Sequence, residues 1–139
     1  MATSEVIYAG DLRCKSTHLG SNSLIITDAP IDNHGKGEAF SPTDLLATSL
    51  GNCMLTIMGI EANKHHVNID GARLRIQKHM GTEPRRVVKI EVDAEIPDNG
   101  LTPRQKEALT TAGLNCPVAK RLHPDLVQEI KIRFVSKLE

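Results

Sequence analysis

The chain has 139 residues, enough for one domain with a real core and too few for two independent ones. Its 17 basic and 17 acidic residues are interspersed, so it carries no basic footprint for nucleic acid or an anionic membrane. Tyr8, Phe40 and Phe134 are the whole aromatic set, which predicts an aliphatic core and leaves little material for stacking on bases.

The opening Met1-Ala2-Thr3-Ser4-Glu5-Val6 has neither a basic segment nor an apolar one, so export is not expected and the predicted location is cytoplasmic. Three cysteines, an odd number, do not describe a secreted disulfide scaffold. Residues 6–8 with Leu12, and then residues 24–26, read as strands around a polar turn at Gly20-Ser21-Asn22. Cys14 falls in or beside the first of these and reads as incidental. Residues 32–38 form a glycine-containing loop without the spacing of a phosphate loop.

Ser41 then caps a long helix. Pro42 suits its first position, and Asp44, three residues after Ser41, resembles a capping box. Leu45, Leu46, Leu50, Cys53, Met54, Ile57, Met58 and Ile60 cover too much of the circumference for a surface helix, so it is predicted to be buried. Residues 45–60 are uncharged but include Thr, Ser, Gly and Asn. A span needs about 20 predominantly apolar residues, so a core helix is the reading and no membrane partner is expected. A monomer of this size has difficulty surrounding such a helix, which predicts that a second copy covers part of it.

Residues 67–69 and 74–76 alternate around a suspected bulge at Gly71, and Gly81-Thr82-Glu83-Pro84 marks a turn. Val88, Ile90, Val92, Ala94 and Ile96 alternate with Lys89, Glu91, Asp93 and Glu95, which predicts a half-buried antiparallel strand. Thr102-Pro103-Arg104-Gln105 is a capping box for a helix ending near Gly113. Asn115-Cys116-Pro117 reads as the start of another, and Ile130, Ile132 and Phe134 alternate along a last strand. The class is α+β, helices on a mainly antiparallel sheet, in a single domain over 1–139.

A thiol in a buried helix is ordinarily a small hydrophobe. Two of them, Cys53 centring one helix and Cys116 opening another, suggest a redox pair instead. Cys116 precedes Pro117 at a predicted helix start, where free N–H groups favour a thiolate, and Lys120 and Arg121 follow a turn later. Cys53 lies about three turns into its helix, where desolvation raises a thiol pKa unless a cation is near. Metal-ligand spacings are absent from the sequence: His65 and His66 are adjacent and diverge, and His34 and His123 read as surface residues. No metal is expected. A Cys/His hydrolase or acyl transferase acting through Cys116 stays open as a weaker reading.

The segments Phe40-Ser41-Pro42-Thr43-Asp44-Leu45-Leu46-Ala47 through Cys53, and Asn115-Cys116-Pro117-Val118-Ala119-Lys120-Arg121-Leu122, resemble the OsmC/Ohr family of osmotically inducible and organic hydroperoxide resistance proteins. The resemblance implies an intertwined homodimer with a long central helix in each chain. It also implies thiol-dependent reduction of organic hydroperoxides, with no bound cofactor and an external dithiol as reductant. By position, Cys53 corresponds to the peroxidatic cysteine, Cys116 to the resolving one, and Arg13 to a catalytic arginine. Leu46, Leu50, Met54 and Ile57 are the expected apolar walls for an alkyl or lipid hydroperoxide. One departure stands out. The best-studied peroxidases carry an acidic residue directly after the motif proline, paired with that arginine. Here the position is Thr43, and the carboxylate follows at Asp44, turned by about 100 degrees on a helix. That departure is what favours the alternative of a non-catalytic dimeric binding protein on the same fold.

Overall fold

Three strands open the chain in the computed structural model, which describes residues 1–136. They are β1 (Ser4–Gly10), β2 (Arg13–His18) and β3 (Leu24–Asp28), antiparallel and paired in the order β1-β2-β3. The sequence predicts a strand running up to Leu12, and the structure corrects it. Asp11 and Leu12 both take positive φ, 55° and 63°, and form the two-residue turn whose twist matches the flanking strands. β2 is therefore a separate strand that begins at Arg13. Its sequence, Arg-Cys-Lys-Ser-Thr-His, has no apolar alternation for a pattern to detect.

Helix α1 covers Pro42–Lys64. Its capping box is present in both directions: the Ser41 N–H donates to Asp44 Oδ2, and the Asp44 N–H donates to Ser41 Oγ, each at 3.0 Å. Within a single chain the helix is buried along one stripe. Ala47, Leu50, Gly51, Met54, Met58 and Ala62 form one buried stripe, whereas Leu46 and Ile60 are exposed. By length and apolarity alone α1 could cross a membrane, but here its buried stripe belongs to a core.

The chain divides into two compact units, Met1–Leu46 and Ala47–Glu139. The second has a three-stranded sheet in the order β4-β5-β6, from β4 (Arg73–Gly81), β5 (Arg86–Pro97) and β6 (Val127–Val135). β5 is antiparallel to β4, as predicted, but parallel to β6. Its connection to β6 runs through α2 (Pro103–Leu114), and a crossover of that kind returns the chain in the same direction. The inner face of β5, Ile90, Val92, Ala94 and Ile96, is buried. Gly51 lets the sheet approach the helix, because a Cβ there would lie 2.9 Å from the methyls of Leu74 and Ile76. Two buried clusters result, one around Leu50, Met54, Ile90 and Val92, the other around Met58, Ala94, Ile96 and Leu109. Each fully buried Leu, Ile, Met or Val stabilises by about 1.5–3 kcal/mol.

Three further expectations are corrected. Residues 67–69 are loop, not strand, and Gly71 (φ 89°) belongs to a turn closed by Ala72 N–H on Ile69 O at 3.0 Å. The strand irregularity lies between His79 and Met80 instead. Cys116 starts no α-helix: only a 3-10 turn, Ala119–Arg121, follows, and Leu122 is already extended. Proline at 124 disfavours helix at His123, which stops the segment short. The capping box of α2 is as predicted, with Gln105 N–H on Thr102 Oγ1 at 3.1 Å and Thr102 N–H on Gln105 Oε1 at 2.9 Å.

Candidate active site

In the unit 47–139, the fold brings Cys53 and Cys116 together although 62 intervening residues separate them. Cys53 projects from α1 and is half-buried against the cluster that contains Leu50, Met54 and Cys116. Cys116 is wholly buried, in the turn after α2. Both are free thiols, and Cys53 packs against the buried cluster to which Cys116 belongs. The Ala119 N–H reaches Cys116 Sγ at 3.5 Å.

The electrostatics of Cys116 are the reverse of the sequence expectation. Burial pushes its thiol up; the Ala119 N–H is the main opposing effect, Cys53 adds a smaller rise and the Val118 N–H a smaller fall. With no α-helix beginning there, no macrodipole offsets the desolvation, and Lys120 and Arg121 are exposed to water. An enclosed thiol with a raised pKa is a poor first nucleophile, which weighs against the acyl-transferase reading.

Of the expected apolar walls, Leu50 and Met54 have no accessible surface and belong to the core. Ile57 is half-buried against the same cluster, and Leu46 is exposed. The accessible wall is therefore smaller than the sequence suggested. Among the described residues, no group of three or more His, Cys, Asp or Glu side chains could hold a metal ion.

In the unit 1–46, Arg13 opens β2 directly opposite Asp28, the last residue of β3. Arg13 Nε donates to Asp28 Oδ1 at 2.7 Å and Nη2 to Oδ2 at 2.8 Å, a two-pronged pair. The Asp28 side chain is 1% exposed and that of Arg13 is 32% exposed. The backbone N–H of Glu38 gives Asp28 Oδ2 a third bond, at 3.1 Å. The Arg13 hydrogen bonds hold the Asp28 carboxyl below its ordinary range against the opposing effect of burial, and the same bonds raise Arg13. Asp44 is engaged with Ser41 at the helix cap, and Thr43 Oγ1 lies 3.2 Å from Ser41 Oγ. Sequence reasoning found Arg13 and missed Asp28. The one available signal was a charge ending the apolar run Leu24-Ile25-Ile26-Thr27, and reading it required the β2–β3 register.

Alongside the α+β fold with its capped long helix, residues 35–131 match the family model described as OsmC-like protein. The chain belongs to the OsmC-like family. A protein of Psychrobacter arcticus 273-4, assigned provisionally to the osmotic-stress-induced and detoxification response, is 49% identical to it. That match covers 96% of each chain with a TM-score of 0.91. Two more distant structures share the fold. An OsmC-like protein of Mycoplasma pneumoniae is 17% identical, covers 95% of each chain and gives a TM-score of 0.78. An organic hydroperoxide resistance protein of Legionella pneumophila is 16% identical, covers 95% of this chain and 97% of its own, and gives 0.72. A comparison with functionally curated proteins finds no match.

Proposed function

We propose that the chain is a thiol-dependent peroxidase that reduces organic hydroperoxides to alcohols. The packing of Cys53 against the buried cluster that contains Cys116 carries the reading. Family membership and the hydroperoxide-resistance role named for several relatives by fold support it. The Cys53 thiolate attacks the distal oxygen of ROOH. The O–O bond breaks, the alkoxide takes a proton and leaves as ROH, and Cys53 becomes a sulfenic acid. Cys116 then attacks the Cys53 sulfur, forming a disulfide and releasing water. An external dithiol supplies the two electrons that restore both thiols. The two roles follow from accessibility: peroxide meets the half-buried Cys53 first, while the enclosed, protonated Cys116 waits as the resolving thiol. Arg13 is the cation assigned to the transition state, stabilising charge on the departing oxygen.

The working unit is a homodimer in this reading. Val6, Ile7, Tyr8, Leu24 and Ile25 of the first sheet are exposed, an apolar surface that a second copy would cover. A reducing cytoplasm suits three free cysteines. Intact mass and peptide mapping after one equivalent of cumene hydroperoxide, with hydrogen peroxide in parallel, test the proposal. Rapid loss of two hydrogens, mapped to a Cys53–Cys116 crosslink and selective for the organic peroxide, supports it. Thiols that stay reduced leave the second reading, a dimeric binding protein, which Thr43 at the family's acidic position favours.

A further inference from the structure

We propose that Asp28 is the positioning carboxylate for Arg13, taking over the task that the residue after the motif proline performs in the best-studied peroxidases, and that the loop from 29 to 40 is built to hold it there. What Arg13 then acts on rests on the peroxidase reading above.

Four observations carry this. The first is the two-pronged pair itself, which fixes the plane of the guanidinium as well as its distance. The second is the burial of Asp28: an enclosed carboxylate is costly unless every lone pair region it presents finds a donor, and Asp28 receives three bonds, two from Arg13 and one from Glu38 N–H.

The third is the backbone around it. Asp28 N–H donates to Phe40 O at 3.1 Å and Ala29 N–H to Leu12 O at 3.1 Å, so both chain neighbours of the Arg13–Asp28 rung are pinned. The loop folds back through Gly37 N–H on Ala29 O at 3.2 Å. Gly35 passes so close to the same carbonyl that a Cβ would overlap it at 1.8 Å. The fourth is at the motif itself: Asp44 Oδ2 accepts from the Ser41 N–H at the helix cap, and Thr43 brings a hydroxyl rather than a carboxylate. The low pKa of Asp28 agrees with a charge kept ionised throughout the working pH range.

The rival to this proposal is a buried ion pair that only ties down a loop. The experiment compares the parent protein, D28N and D28E by stopped-flow oxidation with cumene hydroperoxide across pH, with melting curves in parallel. Nitrogen-15 NMR of the Arg13 side-chain Nε–H is recorded on all three. A misplaced transition-state cation predicts a fall in rate on the order of 100-fold in D28N, with a displaced pH profile. D28E, which keeps the charge, recovers part of the loss, and the Arg13 signal, sharp and slowly exchanging in the parent, averages in D28N. The proposal is overturned if D28N oxidises as fast as an active parent, if D28E is no better than D28N and both losses follow melting alone, or if the Arg13 signal is unchanged in D28N. A parent protein inert to peroxide overturns the peroxidase reading only, because the NMR arm still reads the Arg13–Asp28 pair directly.

Discussion

The two units of the chain bury opposite kinds of residue. In Ala47–Glu139 the interior is aliphatic, with Leu50, Met54, Met58, Ile90, Ile96 and Leu109 all fully enclosed. In Met1–Leu46 the buried residues are polar, Thr27, Asp28 and Ser41, while Val6, Ile7, Tyr8, Leu24, Ile25 and Phe40 are exposed. One unit is organised by hydrophobic burial, which is non-directional and tolerant of small shifts. The other is organised by hydrogen bonds and an ion pair, which fix angles as well as distances. Chemistry divides along the same line. Under the proposed function, Cys53 and Cys116, which need desolvation and proximity, lie in the aliphatic unit, and Arg13, which needs orientation, lies in the polar one.

The largest expected effect breaks this comparison at the aliphatic unit. Cys53→Ser should reduce peroxide consumption to background while leaving the melting temperature close to that of the parent; turnover retained in that variant would sink the peroxidase proposal. Next comes core truncation. Leu50→Ala or Ile90→Ala should cost about 2–5 kcal/mol in denaturant unfolding, because each leaves a cavity in an enclosed cluster. Ile25→Lys, in the polar unit, should cost far less in monomer stability and instead shift the protein from dimer to monomer in light scattering. A large loss of stability with an unchanged oligomeric state would show that the first sheet needs no second copy.

What could be read from the sequence follows the same division. Both capping boxes were legible because each is a local event: Ser41 with Asp44 and Thr102 with Gln105 are three residues apart. β5 was legible because alternation of Val88 to Ile96 is a periodic signal, and its parallel neighbour was not, since pairing with β6 depends on the crossover through α2. Only the start of β2 was legible, as a presumed strand or edge around Cys14, because Lys15, Ser16, Thr17 and His18 give no apolar alternation. The tie between Arg13 and Asp28 spans 15 residues and depends on register, which a slip of one residue would destroy. The environment of Cys116 was misread for a related reason. Proline after cysteine looks like a helix start, but the burial that decides the pKa comes from residues far away in sequence.

A smaller effect sharpens the polar side. The folded pKa of Asp28 lies below its unfolded value of about 4. Its contribution is therefore fully present above that unfolded value and is lost as pH falls through the folded one. Acid titration of the melting temperature should show this loss below about pH 4 in the parent, and D28N should flatten that part of the curve. An identical acid limb in both would place the linkage on other carboxylates.

The smallest effect belongs to Cys116 and has the opposite sign. Its folded pKa lies above the unfolded value of about 8.5, because burial disfavours the thiolate. The corresponding stability is complete below about pH 8.5 and is lost as pH rises through the folded pKa, since the unfolded chain releases its proton first. Mild alkali should thus loosen the aliphatic unit, and Cys116→Ser, which does not ionise in this range, should remove that limb of the curve. The same protonation should appear in the kinetics. Conversion of the Cys53 sulfenate to the disulfide should quicken as pH rises from 7, because more of Cys116 becomes the attacking thiolate. A conversion rate independent of pH would mean that Cys116 leaves its enclosed position before it reacts, so that its burial governs the reduced protein and not the resolving step.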